Sequence, residues 1–216
     1  MKPIRLSFFA PLLVALLAGC GDPANQVHKS AANDPKAAAP SSPAAGKEYV
    51  IRAGSTIGFT GSKVTGSHHG GFKNFAGNFH IADGKLAGTP ELKIAMQSTW
   101  ADNEKLAGHL KSSDFFDVEK FPITTFTVTS VAPEGAQHKV TGNLNLHGVT
   151  KSISFPATVQ LAPDAVTLKA EFAINRRDFN INFPGMPNDL IRDNVVLNLD
   201  IKATPGPAKP EDQLAL

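Results

Sequence analysis

The stretch Ser152-Ile-Ser-Phe-Pro-Ala-Thr-Val-Gln-Leu161 alternates between an apolar set that begins at Ile153 and a largely polar set that begins at Ser152. Successive side chains of a β-strand point to opposite faces of the sheet, so this alternation predicts a strand with one dry face and one wet face. Antiparallel sheets commonly place one face on the core and the other in water. The stretch therefore predicts antiparallel β-structure with Phe155 facing the interior.

The same period of two recurs on both sides of this stretch. It is found in the segments 91–100, 140–146, 166–174 and 195–201. Turn-forming residues separate the runs at Ala82-Asp-Gly84, Ala132-Pro-Glu-Gly135, His147-Gly148 and Ala162-Pro-Asp164. Short connections between consecutive strands predict an up-and-down meander, which either folds into a sandwich or closes into a barrel. Closure removes the exposed strand edges, so we expect an all-β antiparallel barrel of about eight strands.

One segment, 103–112, has helical rather than strand periodicity. Asp102 or Asn103 can cap its first turn, and Leu106 and Leu110 lie one turn apart on one face. This apolar stripe is too narrow for a buried helix. We therefore expect one short helix that packs as a lid across an end of the barrel.

The chain begins with features of an export signal. Lys2 and Arg5 precede an apolar run over 6–17 that is too short to span a bilayer. The run ends in Leu17-Ala-Gly-Cys20, which resembles the bacterial lipobox, and Cys20 is the single cysteine of the chain. We interpret 1–19 as a signal peptide and Cys20 as the lipidation site; the alternative is an ordinary signal with an incidental cysteine.

The residues after the lipobox predict location and domain limits. Gly21, rather than Asp, follows the cysteine, which favours the periplasmic face of the outer membrane, with the acyl chains as the membrane anchor. The segment 20–46 is rich in Ala, Pro, Ser, Asn and Asp and is expected to be a flexible tether. The Pro-rich segment 205–216 is expected to be disordered, which leaves a single domain over 47–204.

Composition argues against several classes of function. The net charge is +2 with both signs interspersed, so nucleic-acid binding is not expected. The seven His show no metal-ligand spacing, and neither a metal nor a cofactor is expected. Ser113 could be imagined beside a histidine as a nucleophile, but no G-x-S-x-G motif accompanies it, so we expect no enzyme.

The aromatic residues are fourteen Phe, one Tyr and one Trp. Buried Phe needs no hydrogen-bond partner, so this composition suits a dry interior, either packed solid or hollow. Arg176 shares the inward phase of Phe172, and a buried cation needs a partner. That partner is either Asp178, in a structural ion pair, or the head group of a ligand.

Several motifs follow one another in a characteristic order between residues 48 and 203. They are Ser55-Thr-Ile-Gly-Phe59, Val64-Thr-Gly-Ser-His-His-Gly-Gly-Phe72, Phe75-Ala-Gly77, Asn103-Glu-Lys-Leu-Ala-Gly-His-Leu-Lys-Ser-Ser-Asp-Phe-Phe-Asp-Val-Glu-Lys-Phe-Pro-Ile-Thr-Thr-Phe126, Gly142-Asn-Leu-Asn-Leu-His-Gly-Val-Thr-Lys151 and Asn175-Arg-Arg-Asp-Phe179. Together they resemble the YceI-like family of bacterial envelope proteins. Asn180 stands where that family usually has Gly, which puts the turn after Phe179 in doubt.

The resemblance implies a lipocalin-like barrel whose lumen binds a long isoprenoid lipid, of the polyprenyl or quinone type, for transport, storage or sequestration. The alternative is a non-carrier β-domain that acts as an interaction or stress-response module in the envelope. Oligomeric state is left open, with a homodimer among the alternatives. The residues expected to contact the lipid are Phe59, Phe72, Phe79, Leu92, Ile94, Met96, Leu106, Leu110, Phe116, Phe126, Val128, Leu144, Leu146, Phe155, Phe172 and Arg176.

Overall fold

The structure, a computed structural model, describes residues 21–37 and 46–214. The predicted signal peptide, Cys20 and part of the predicted tether lie outside the described residues. The helix α1 spans Glu104–Lys111. The strands, in chain order, are β1 (His28–Lys29), β2 (Lys47–Ile51), β3 (Thr56–Lys63), β4 (Gly66–Phe72), β5 (Phe75–Ala82), β6 (Lys85–Ala95), β7 (Thr99–Ala101), β8 (Ile123–Glu134), β9 (Gln137–Leu146), β10 (Val149–Leu161), β11 (Val166–Asn175), β12 (Gly185–Met186), β13 (Asp189–Leu190) and β14 (Asn194–Pro205).

Eight strands close into an antiparallel barrel, which confirms the predicted fold. Around the ring the order is β2, β5, β6, β8, β9, β10, β11 and β14, and β14 closes it by pairing with β2. After short interruptions, β3, β4 and β7 continue β2, β5 and β6, and β3 also pairs with β14. Neighbours in the ring are mostly neighbours in the chain, as a meander requires. Closure leaves none of these eight strands as a free edge.

The strand register turns the alternation of the sequence into a common inward face. Phe155 pairs with Val140, and Leu197 pairs with both Phe172 and Phe59 on its two sides. Directly paired residues in antiparallel strands share a face of the sheet. The inward positions of neighbouring strands are therefore apolar together, and their side chains meet inside the barrel.

The hairpin between β9 and β10 turns at His147 and Gly148, where the sequence predicts a turn. Both residues have positive φ, 52° and 76°, as a two-residue type I′ turn requires. A Cβ at position 148 would lie 2.5 Å from Cε1 of Phe121. The close approach of this ring and the positive φ both require glycine at this turn.

Helix α1 begins and ends within one residue of the predicted segment. Asn103 is its N-cap, because its side-chain oxygen accepts a hydrogen bond of 3.0 Å from the amide of Leu106. Leu110 is buried and Leu106 is half-buried against the barrel interior. Among the described residues, no helix is both long enough and apolar enough to cross a membrane.

A part of the predicted flexible tether is instead built into the barrel wall. β10 and β11 pair only where 158–161 meets 166–169, and they diverge beyond it. In this gap β1 pairs with Phe172 and Ala173 of β11, while Asn33 exchanges backbone hydrogen bonds of 2.9 Å with Ser152 of β10. The segment 28–33 thus supplies the hydrogen-bond partners that the two diverging strands would otherwise lack.

The end of the chain is also attached to the barrel over its described residues. β14 extends to Pro205, and a short 3-10 turn follows over Pro210–Asp212. The carboxylate of Asp212 is buried and forms an ion pair with Arg52. Composition predicts a disordered tail over 205–216 and does not reveal this buried ion pair.

Candidate functional site: a hydrophobic cavity in the barrel

The barrel encloses a cavity of about 340 Å³. This volume lies within the range of roughly 300–1,000 Å³ that is typical of small-molecule sites. Its wall is built mainly of aliphatic and phenylalanine side chains. The lining includes most of the residues for which the sequence predicts lipid contact, namely Phe59, Phe72, Leu92, Ile94, Met96, Leu106, Leu110, Phe116, Phe126, Leu144, Leu146, Phe155, Phe172 and Arg176.

The sequence also predicts that Phe79 and Val128 face the lumen, but neither lines this cavity. Phe79 lies at a register shift between Asn78 and His80 and stacks on Tyr49, with ring centroids 5.7 Å apart. A similar shift follows Val128, which packs against the surrounding core. Both keep the inward phase, because Phe79 pairs with Tyr49 and Val128 pairs with Gly142. They pack into the core beyond the cavity, since alternation predicts the face of a strand but not the depth of a residue along the barrel.

Glycines at inward positions help to keep the barrel hollow. A Cβ at Gly142 would lie 2.4 Å from Cζ of Phe126, and one at Gly70 would lie 2.3 Å from Cζ of Phe59. Each phenyl ring therefore lies over a glycine of the neighbouring strand, close against the wall. The rings of Phe59 and Phe126 occupy the space that a side chain at position 70 or 142 would need, and they still face the lumen.

One end of the barrel is closed by a packed cluster, here called the closed end. Tyr49 and Phe79 stack with their ring planes 7° apart, and Val166 and Ala203 are buried beside them. The Tyr49 hydroxyl donates to the carbonyl of Pro163 at 3.4 Å. Its polar atom therefore has a partner, and the rest of the cluster is apolar.

Between the closed end and the centre, Phe155 and Phe172 stack with centroids 4.0 Å apart and planes 1° apart. They lie on β10 and β11, the two strands that diverge. The ring pair therefore lies on the inner side of the gap, and the segment 28–33 fills the gap within the wall.

The opposite end, here called the open end, is covered by α1 and the residues after it. Leu106, Leu110 and Phe116 contribute to the cavity lining there. Lys63 and His68 line the same end, and their side chains are 37% and 40% exposed. Side chains that face both the cavity and solvent mark this end as the opening.

Arg176 is 4% exposed at the open end and donates mainly to carbonyl oxygens. Its guanidinium bonds the carbonyls of Ile181, Arg192 and Ile191 at 2.6, 3.1 and 3.3 Å. Burial lowers the pKa of Arg176, and the nearby Asp193 carboxylate opposes that effect. The side chain thereby fastens the loops that precede β14 to the end of the barrel.

The acidic partner of Arg176 is Asp193, at 3.3 Å, and the predicted pairing with Asp178 is wrong. Asp178 lies two residues further along the same short 3-10 helix, Arg176–Phe179. Asn180, which replaces the usual family glycine, ends this helix with a φ of 58°. Asn is among the residues that tolerate this left-handed conformation, so the turn forms without glycine.

Two further contacts between a basic and an acidic side chain lie at the open end. Lys63 bonds Asp189, and His68 Nδ1 lies 2.8 Å from Asp102. The hydrogen bond from Lys63 lowers the pKa of Asp189, with Thr65 adding to the effect. The pKa of Asp102 is lowered chiefly by the backbone amide of His69 and then by the His68 side chain.

Sequence reasoning missed several lining residues, among them Lys63, His68 and Ile191. The alternation that places Phe59 inward also places Lys63 inward, and the phase of Phe72 does the same for His68. The Gly-rich segment around His68 instead favours a solvated turn residue, which conceals this phase. Ile191 carries no strand pattern, since it follows the short β12–β13 hairpin.

Comparison with known proteins places the chain in a family. Residues 49–203 match the family model of the YceI-like domain. A UPF0312 protein of Pseudomonas putida is 34% identical over 141 residues, which cover 62% of this chain and 70% of that protein. Protein YceI of Salmonella newport is 36% identical over 121 residues, which cover 52% of this chain and 63% of its own.

Solved structures share the fold. BcnA of Burkholderia cenocepacia superposes with a TM-score of 0.63 at 24% identity, covering 70% of this chain and 98% of its own. A polyisoprenoid binding domain from Saccharophagus degradans, implicated in plant cell wall breakdown, superposes with a TM-score of 0.60 at 19% identity, covering 73% and 98%. At these identities the structures support the barrel alone. The family model and the Pseudomonas relative decide the assignment: this chain belongs to the YceI-like domain family.

Proposed function

We propose that this protein binds a long-chain isoprenoid lipid, of the polyprenyl or quinone type, in its barrel cavity. The observation that carries the proposal is the cavity of about 340 Å³, whose wall is almost entirely apolar and whose polar groups lie at one end. A slender hydrocarbon chain fits such a wall, because it needs no hydrogen bonds along its length. The structural neighbour from Saccharophagus degradans, a polyisoprenoid binding domain, supports the same ligand class.

The energetics favour a carrier or buffer rather than a trap. Each CH₂ group transferred from water to an apolar site contributes about 0.8 kcal/mol. Summed over several isoprene units, this transfer free energy would exceed the practical limit of binding free energy, near −18 to −21 kcal/mol. The sum is therefore not the binding free energy. In a membrane the hydrocarbon chain of the lipid is already removed from water. The cavity therefore needs only to hold the lipid chain about as favourably as the bilayer does, which suits transport, storage or sequestration.

We further propose that the protein is a lipoprotein at the periplasmic face of the outer membrane, anchored through Cys20. The lipobox-like Leu17-Ala-Gly-Cys20 and the following Gly21 support this location. An acylated protein would remain beside the bilayer from which an isoprenoid is taken. Incorporation of labelled palmitate tests the anchor: the wild-type chain should be labelled, and Cys20→Ser should abolish the label. Labelling of the Cys20→Ser protein would refute it.

Binding rather than catalysis is the activity that the cavity supports best. Its ionisable side chains lie at the open end, where Lys63 and Arg176 already bond aspartates. The alternative function, a non-carrier interaction module, makes no use of a hollow interior. Filling such a space with side chains would stabilise a purely structural domain, because an empty cavity costs free energy.

Extraction of the purified protein tests the proposal. The Cys20→Ser protein is extracted with organic solvent, and the extract is analysed by mass spectrometry. We expect isoprenoid in stoichiometric amount, or uptake of added polyprenyl lipid by protein purified empty. Repeated absence of isoprenoid from the extract, together with no uptake, would favour the interaction module.

A further inference from the structure

We propose that the open end of the cavity is a head-group site that selects anionic amphiphiles, with a carboxylate or phosphate head, over cationic ones. The inference rests on the proposed function, since it assigns the chemistry of the ligand whose chain occupies the lumen. Lys63 and His68 are the residues that would contact the head group.

The first observation is an asymmetry of charge. Within the part of the chain that the structure describes, the ionisable side chains that line the cavity are all basic: Lys63, His68 and Arg176. Each bonds an aspartate that does not itself line the cavity, and these partners are Asp189, Asp102 and Asp193 respectively. A head group at the open end of the cavity therefore meets basic side chains, and the carboxylates lie behind them.

The second observation is the position of the two exposed basic side chains, Lys63 and His68. Lys63 of β3 pairs with Gly66 of β4, and His68 pairs with Gly61. Lys63 and His68 are therefore diagonal neighbours on the inward face of the same hairpin, a separation that long side chains can bridge. Both are partly exposed, so one head group could reach them without full loss of its hydration.

Arg176 and Lys63 differ in how many of their N–H donors already have a hydrogen-bond acceptor. The guanidinium of Arg176 is held by three carbonyls and Asp193, which makes it a positioning group for the loops rather than a contact for the ligand. The ammonium of Lys63 has three donors, and its bond to Asp189 uses one. Asp189 is itself held by the amide and hydroxyl of Thr65, at 3.2 and 2.9 Å. The carboxylate therefore stays in place when an anion approaches the ammonium from the lumen.

Four probes with one isoprenoid chain test the selectivity. Farnesyl diphosphate and farnesoic acid are anionic, farnesol is uncharged and farnesylamine is cationic. Affinities are measured with the Cys20→Ser protein by competition against a bound fluorescent lipid. We expect an anionic probe to bind about tenfold more tightly than farnesylamine at low ionic strength, and the ratio to shrink at high salt because screening weakens exposed charge pairs.

The order of the two anionic probes assigns the head-group chemistry. Tighter binding of farnesyl diphosphate indicates a phosphate, and tighter binding of farnesoic acid indicates a carboxylate. Equal affinity for the anionic, uncharged and cationic probes would overturn the head-group site and leave the proposed function intact. Failure of every probe and of longer polyprenyl lipids to bind would instead overturn the proposed function.

Variants at the open end test the residues. Lys63→Met should weaken anionic probes about threefold to fivefold, the size expected for a partly exposed charge pair, and leave farnesol unchanged. Asp189→Asn should strengthen the same probes, because it removes the charge that neutralises Lys63. Lys93→Met is the matched control, since Lys93 pairs with Glu91 on the outer wall. Equal losses in Lys63→Met and Lys93→Met, or no gain in Asp189→Asn, would contradict the assignment.

Discussion

The two ends of the barrel use the same inward-facing register with opposite results. At the closed end Tyr49 stacks on Phe79, and Val166 is buried beside the pair. At the open end Lys63 and His68 occupy inward positions, yet their side chains are 37% and 40% exposed. At the closed end the apolar side chains pack together, whereas at the open end Lys63 and His68 remain accessible to solvent.

The difference shows that charge placement decides where this barrel stays open. Aromatic and aliphatic groups gain free energy by packing together, and the closed end is built mainly of such groups, while the exposed Lys47 lies over the Tyr49 ring from outside the cluster. Burying a charged group is costly unless it is fully paired and hydrogen-bonded. Lys63 and His68 have one aspartate each, so they are more stable at a wet rim, whereas Arg176 has enough partners to be buried.

The largest expected effect on stability is at Arg176. Arg176→Met should lower the free energy of unfolding by about 3–5 kcal/mol, because it leaves the carbonyls of Ile181, Ile191 and Arg192 without their donor. Urea unfolding measures the change. Arg177→Met is the matched control: Arg177 bonds the same Asp193 but is 47% exposed, so its loss should be below about 1 kcal/mol. Equal losses would show that burial does not distinguish the two.

Phe79→Ala tests whether the closed end contributes to stability without contributing to lipid binding. It removes a ring from the closed-end cluster and should cost about 2–3 kcal/mol of unfolding free energy, somewhat less than a fully buried Phe. Lipid uptake should remain, because Phe79 does not line the cavity.

The contrasting variant is Leu92→Trp, which adds volume inside the cavity that Leu92 lines. Its uptake of polyprenyl lipid should fall at least about tenfold, while its stability changes by less than about 2 kcal/mol. Lipid titration and urea unfolding of both variants provide the comparison. Loss of uptake in Phe79→Ala with retention in Leu92→Trp would reverse the roles assigned to the two positions.

A smaller effect is expected at the helix that covers the open end. Asn103→Ala removes the N-cap of α1 and should cost about 1 kcal/mol, seen as faster amide exchange across the helix. The neighbouring Lys105→Ala is the control, because Ala is a good helix former and Lys105 is exposed. Unchanged exchange in Asn103→Ala would show that the cap does not hold the lid.

The smallest effect is a pH dependence confined to the open end. Asp102 and Asp189 have pKa values lowered by their hydrogen bonds, so their stabilisation is present above the ordinary carboxyl range and is lost as pH falls through the lowered values. The closed-end cluster of Tyr49, Phe79, Val166 and Ala203 is held by apolar packing. Amide exchange below about pH 4 should therefore rise first around Asp102 and Asp189. A simultaneous rise at the closed end would contradict this separation.

Much of the architecture could be predicted from periodicity, since the alternation that includes Phe155 is a direct consequence of strand geometry. The bulge opposite Phe79 could not be predicted, because the extra residues of β6 between Ala87 and Glu91 are evident only from the pairing with β5. Arg176 shows a similar limit. Its phase correctly places it inward, but its acidic partner is Asp193 rather than the nearby Asp178, because the loop between them folds back.

The N-terminal segment shows where composition misleads. Its polar residues predict a flexible tether, yet 28–33 completes the wall between β10 and β11 through backbone hydrogen bonds. Any sequence can supply backbone donors and acceptors, so the composition of a segment does not reveal such a role. The gap that it fills is visible only once β10 and β11 are seen to diverge.

A structure of the protein loaded with a polyprenyl phosphate tests the central claim most directly. We predict that the hydrocarbon chain lies in the cavity against Phe126 and Leu92, with the phosphate at Lys63 and the closed end unchanged. A chain bound on the outer surface, with the cavity empty, would contradict the account.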